Sequence, residues 1–314
     1  MNLNARGLAR ADALLALAEE RRVVGHPIEG GGRFVDCGIE ARGGLLAGLD
    51  LARVCLAGLA DVAIVPGELG GRPCPMVQVT TDHPLAACLG SQYAGWALSE
   101  GKFFAMASGP MRAAQGKEPL FAELGLAEPA DRVVGVLEGR TPPTAAVVAK
   151  VAEGCRVAPS SVTLLGAPTA SLAGGVQVVA RSVETALHKL HALGFDLRRV
   201  VSAHGLAPLP PVAGDDLAAI GRTNDAILYG ARVILHVVGD DASLAEVGHK
   251  VPSDSSKDHG EPFAVIFARA GSDFYAVDPH LFSPAQVTFA NLDTGRSQTF
   301  GRLEPLILAR SFFG

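Results

Sequence analysis

Arg181 and Glu184 stand three residues apart, directly after a stretch from Val157 to Ala180 that carries no charged residue. At i and i+3 of a helix a guanidinium and a carboxylate can touch. Two readings follow. An exposed pair would be an ordinary surface ion pair, contributing well under about 1 kcal/mol. A pair at the end of a dry pocket wall would be a working one. The approach to it favours the second reading, because a turn rich in Gly, Ala, Ser and Thr, with Thr169 and Ser171, implies close backbone packing around something. Two further segments share that character. "TTDHPLAACLGSQYAGW" sets Asp82 and His83 at an expected strand end, followed by small residues and the amide Gln92. "GRTNDAILYGA" sets Arg222, Thr223, Asn224 and Asp225 at an expected helix start, where Asn or Asp would equally serve as caps. "MASGPMRA" adds Ser108 in a Ser-Gly-Pro turn.

The helix expected from about 171 to 193 has a core face of Val176, Val179, Ala180, Val183, Leu187 and Leu190. Gln177, Arg181, Glu184, His188 and His191 share the neighbouring stripe. His188 and His191 could be two metal ligands, but no third ligand follows at a suggestive spacing, so packing or surface histidines are the better reading. No Walker phosphate loop, GxGxxG after a strand, GxSxG elbow or HExxH occurs. An enzyme built from this chain is expected to work without a resident metal, nucleotide or covalent nucleophile.

Composition narrows the class. The 314 residues suffice for one large domain or two ordinary ones. A net charge of -5 and the lack of a Lys/Arg cluster argue against nucleic-acid binding. The five cysteines are odd in number and never spaced CxxC, which argues against a disulfide framework or a zinc site and fits a reducing cytoplasm. The first 22 residues read as a charged amphipathic helix, not a secretory signal. The uncharged run is long enough to raise a membrane span, but its two prolines and three glycines divide it into strand, turn and helix start.

The elements that must position these residues alternate irregularly. Strands are expected at "RFVDCGIEA", "VAIVPGEL", "CPMVQVTTD", "KFFAMAS", "VVGVLEG" and "SVTLLG", with helices between them and a Pro-initiated helix at "TPPTAAVVAKVAEGC". "EPFAVIFARAGSDFYAVDPHL" reads as two short strands joined at Gly271, and "AQVTFANLDTGRSQTFG" as a hairpin around Asp293-Thr294-Gly295. The class is α/β or α+β with mixed sheets. Two domains are expected, 1–157 and 158–314.

Taken in order, "TDHPLAACLGSQYAGW", "FAMASGPMRA", "APTASLAGGVQVVARSVETALHKL", "GRTNDAILYG", "DFYAVD" and "SPAQVTFANLDTG" resemble methenyltetrahydromethanopterin cyclohydrolase, over roughly residues 30 to 312. The resemblance implies two α/β domains around an inter-domain pterin pocket and a cytoplasmic homotrimer acting in one-carbon metabolism. It also implies a tetrahydromethanopterin derivative as substrate, no permanently bound cofactor or metal, and no nucleic-acid or membrane partner. The family's catalytic arginine and glutamate map onto Arg181 and Glu184, and its pterin cleft onto segments carrying Asp82, His83, Gln92, Ser108, Thr169, Ser171, Gln177, Arg222, Thr223, Asn224 and Asp225. On that mapping Glu184 is the base for water and Arg181 holds the water or developing oxygen. A carboxylate beside arginine is a weak base, so burial would have to offset the arginine. A non-catalytic pterin-binding subunit and a tetrahydrofolate cyclohydrolase are the rival readings.

Overall fold

The computed structural model describes residues 1–271 and 273–314. Its strands are β1 (Val24–Pro27), β2 (Arg33–Asp36), β3 (Asp61–Val65), β4 (Glu68–Leu69), β5 (Arg72–Pro73), β6 (Met76–Thr81), β7 (Trp96–Glu100), β8 (Phe103–Ser108), β9 (Val133–Glu138), β10 (Val162–Ala167), β11 (Val200–Pro208), β12 (Arg232–Val237), β13 (Gln286–Asn291) and β14 (Ser297–Gly301). Its α-helices are α1 (Leu3–Ala16), α2 (Ala18–Arg21), α3 (Leu45–Cys55), α4 (Met111–Gln115), α5 (Pro119–Glu123), α6 (Ala145–Cys155), α7 (Leu172–Val179), α8 (Ser182–Ala192), α9 (Asp216–Leu228), α10 (Asp241–Gly248), α11 (Phe263–Arg269) and α12 (Pro305–Phe313).

The chain forms two compact units, residues 1–60 with 86–177, and 61–85 with 178–314. This division differs from the expected break at 157/158, which would part β10 from β2 and β9, its hydrogen-bonded neighbours. It would likewise part β6 from β11, with which β6 pairs from Met76 to Thr81.

The first unit's sheet runs β1-β2-β10-β9-β8-β7. Its middle strands β2, β10 and β9 are parallel, and antiparallel strands flank them. One face packs Phe34, Ala105 and Leu137 against Val147, Val148 and Val151 of α6. The other packs Val35, Val136 and Leu165 against Leu8, Ala11 and Leu14 of α1 and Leu51 and Val54 of α3. Covered on both faces, β10 is buried along its whole length, as a central parallel strand must be. That burial explains the first part of the uncharged run. Gly174, at the start of α7, is required by the tight turn, since a Cβ there would sit 2.0 Å from the Pro168 carbonyl oxygen.

The second unit's sheet runs β14-β13-β12-β11-β6-β3, antiparallel except for β12 with β13. β13 and β14 form the expected hairpin. Among the described residues of the 263–281 segment no strand forms. Phe263 and Phe267, one helical turn apart, stack at 5.6 Å on α11, and 3₁₀ turns follow at Phe274–Ala276 and Pro279–Leu281. Ser272, inside that expected strand pair, lies outside the described residues. Among the described residues no helix is long and apolar enough to cross a membrane.

Candidate active site

The helix expected from 171 to 193 is broken. α7 ends at Val179 and α8 starts at Ser182, with Arg181 as its N-cap at φ -93° and ψ 7°. Arg181 and Glu184 therefore sit in the first turn of α8, not in mid-helix. The Thr185 hydroxyl ties the turn down by donating to the Arg181 carbonyl (3.2 Å) and the Ser182 carbonyl (2.9 Å). The turn lies close against β11, because a Cβ added at Gly205 would fall 2.3 Å from the Ser182 Oγ. β11 thus fixes the height at which the pair stands.

Arg181 and Glu184 are 8% and 7% exposed, which excludes the surface-pair reading. Burial pushes the Glu184 carboxyl up to about 7, while the Arg181 guanidinium pulls the other way. The carboxyl is also at the third helical position, where the helix dipole favours its ionised form. Desolvation outweighs both. The result is a carboxyl that changes charge near neutral pH, the setting a general base needs. Further along α8, burial and the neighbouring His191 hold the His188 imidazole below its usual range.

The other predicted site residues divide between the two units. In the first, Gln92 ends a buried π-helix over Leu85–Gln92. Ser108 ends β8, and its hydroxyl lies 3.5 Å from the Cys55 Sγ, whose thiol donates to Gln177 Oε1 at 3.7 Å. Cys55, at the end of α3, therefore brings Ser108 and Gln177 together, a link invisible in the sequence. Ser171 shapes the β10–α7 turn by donating to the Pro168 carbonyl at 2.7 Å and accepting from the Gly174 N–H at 3.0 Å. The Thr169 hydroxyl donates to Glu138 Oε1. Glu138 is a second residue that sequence reasoning missed. The strand run "VVGVLEG" was visible, but nothing in it singles out its final carboxylate.

In the second unit, Asp82 follows β6, is exposed, and accepts from the Ser202 hydroxyl at 2.8 Å. His83 follows it, and its backbone N–H donates to Thr81 Oγ1 at 3.0 Å. Arg222 to Asp225 do not start a helix. α9 begins seven residues earlier than Thr223, capped by Asp215, whose side chain accepts from the Ala218 N–H at 2.9 Å. The four residues occupy its later turns. Thr223 and Asn224 donate back to the carbonyls of Ala219 (2.9 Å) and Ile220 (2.8 Å), and Arg222 donates to the carbonyls of Ser311 and Pro211 (both 3.2 Å). Asp225 Oδ1 accepts from the Phe263 N–H at 2.7 Å, tying α11 to α9. Burial pushes this carboxyl up to about 7, with the Ser311 side chain and the Phe263 N–H acting the other way.

The family model for cyclohydrolase (MCH) matches residues 2–312. The chain belongs to the MCH cyclohydrolase family. Named relatives agree. The methenyltetrahydromethanopterin cyclohydrolase of Rhodopirellula baltica is 53% identical over 287 residues, covering 90% of this chain and 86% of its own. That of Methylobacterium sp. (strain 4-46) is 49% identical over 316 residues, covering 99% and 97%. An archaeal relative under the same name, from Methanococcoides burtonii, is 41% identical over 315 residues, covering 99% and 98%. All five cysteines are buried and none forms a disulfide, and burial raises the thiols of Cys37, Cys74 and Cys155. Burial thus disfavours the thiolate form at these three. Among the described residues no group of three or more His, Cys, Asp or Glu side chains is placed to hold a metal ion.

Proposed function

We propose that this protein catalyses the reversible hydrolysis of 5,10-methenyltetrahydromethanopterin to N5-formyltetrahydromethanopterin. The observation that carries the mechanism is the buried Glu184 carboxyl, poised near neutrality at the pinned first turn of α8 beside Arg181. The reacting carbon lies between N5 and N10 and carries delocalised positive charge. Water attacks that carbon, a C–O bond forms, and the Glu184 carboxylate takes the proton. The C–N10 bond then breaks, that proton passes on to N10, and the adduct's C–OH loses the water's second proton to solvent as the neutral formyl group is left on N5, so that one proton is released overall. Arg181 holds the water or the developing oxygen and stabilises charge that builds on it. Their separation of three residues on one helical turn keeps base and oxygen-binding group at a fixed distance.

Ser108, Thr169, Ser171, Gln177, Gln92, Asp82, His83 and the Arg222–Asp225 stretch form the pterin-binding part of this proposal. The reading also includes a cytoplasmic homotrimer with no permanently bound cofactor, serving one-carbon metabolism. The resemblance supports that part, and sedimentation equilibrium at three times the chain mass is its expected result; a monomer would remove it. The activity itself is tested by the decay of the methenyl chromophore with methenyltetrahydromethanopterin, beside methenyltetrahydrofolate as control. Hydrolysis of the methanopterin form alone supports the proposal. Binding without turnover would replace it with a pterin-binding subunit.

A further inference from the structure

The parallel strands β2, β10 and β9 end on one edge of the first unit's sheet, and open α/β sheets take ligands beyond the carboxyl ends of their strands. Two carboxylates stand there, and they differ in what remains free. Asp36, ending β2, is used up, because its two oxygens accept the backbone N–H groups of Gly38, Ile39, Glu40 and Ala41 at 2.7–2.9 Å. Glu138, ending β9, is half-buried and held by one hydroxyl, that of Thr169 on Oε1. Among the described residues its Oε2 accepts no hydrogen bond.

Glu138 also faces the right way. It pairs with Ala167 of β10 on one side and Met106 of β8 on the other, and Ser108 pairs with Val136. Strand alternation puts Glu138 on the side of Val134 and Val136, so Ser108 and Glu138 share one face of the sheet. The predicted pterin-binding residues Ser108 and Thr169 thus flank a carboxylate that no other group saturates.

We propose that Glu138 is the specificity residue for the 2-amino-4-oxopyrimidine edge of the pterin, with Thr169 setting its orientation. That edge offers an amino N–H and a ring N–H side by side. A carboxylate offers two parallel acceptors, each with lone pairs to spare after one hydroxyl contact. This inference rests on the pterin substrate proposed above.

The test measures binding of 6-methylpterin and of 6-methyllumazine, which has an oxo group in place of the 2-amino group, together with steady-state kinetics. The proteins are wild type, Glu138→Gln and Thr169→Val. Wild type is expected to prefer the pterin by at least about tenfold, since a site built to accept those donors rejects an analogue lacking one. Glu138→Gln is expected to lose that preference and to raise KM about tenfold or more with kcat within a few-fold. Thr169→Val, which deletes only the orienting hydroxyl, is expected to move both in the same direction by less, and it carries the test should the Glu138 variant not fold. Wild type that does not distinguish the two compounds, or variants that keep the wild-type preference and KM, would overturn the role of Glu138. Wild type that prefers the pterin but hydrolyses nothing would sink the proposed activity and leave Glu138 standing.

Discussion

Glu184 and Asp225 are both buried carboxyls of the second unit, and burial pushes each to about 7. Their surroundings differ. Asp225 is 0% exposed, deep in α9, and one oxygen is captured by the Phe263 N–H. Glu184 is 7% exposed, in the first turn of α8, and among the described residues accepts no hydrogen bond. A perturbed carboxyl is therefore no sufficient mark of chemistry, because structural groups are perturbed by the same desolvation. What separates the two is a neighbouring cation, Arg181, in the first turn of a helix, against a carboxyl whose Oδ1 is committed to holding two helices together and whose Oδ2 is sealed in the core.

The largest expected effect sharpens this contrast. Glu184→Gln should lower kcat by about 10²- to 10⁴-fold, the range for losing a general base. Asp225→Asn keeps an acceptor for Phe263 and should leave kcat within a few-fold; chromophore decay for both variants checks this. Arg181→Ala comes next. It should lower kcat more than it raises KM, and move the rising limb of the pH–rate profile upward. The sign follows from charge: Arg181 lowers the Glu184 pKa, so its loss requires a higher pH to ionise the base. A limb that moves down in Arg181→Ala would break the assignment.

The pH dependence of stability probes both carboxyls together. Each binds its proton more tightly in the folded chain than in the unfolded one. The Glu184 contribution is complete below about 4.5 and is lost as pH rises through about 7. That of Asp225 is complete below about 3.8 and is lost over the same upper limit. Urea denaturation at pH 5 and pH 8 should show wild type losing stability with rising pH from these two groups. Glu184→Gln and Asp225→Asn should each flatten the slope, by similar amounts. The smallest effect is expected at Gly205→Ala, whose methyl must displace Ser182. Overpacking of this kind costs about 1–3 kcal/mol, and the shifted α8 turn should reduce kcat as well.

How far the sequence could be read depended on which physical signal each segment carries. β9 and β10 were legible because a strand covered on both faces is an unbroken apolar run bounded by turn residues. α11 was not, because "FAVIFAR" is rich in residues favoured in strands, whereas in the folded chain the segment is helical with Phe263 packed against Phe267 and Phe274. The start of α9 was placed too late because Asn224 and Asp225 look like caps, whereas Asp215 and the helix it opens precede them. The break at Arg181 was hidden because apolar spacing runs on through both α7 and α8. Of the candidate site, the closeness of Arg181 and Glu184 and their burial were legible from spacing and from the charge-free approach. Cys55 and Glu138 were not, since each acquires its partners across 31 or more residues of chain.

The most direct test of the account compares wild type, Glu184→Gln and Asp225→Asn in one assay, the decay of methenyltetrahydromethanopterin absorbance at saturating substrate. The expected result is near-wild-type turnover for Asp225→Asn and a loss of about 10² or more for Glu184→Gln, with substrate still bound. Near-wild-type turnover in Glu184→Gln would contradict the account and leave both carboxyls as parts of the core.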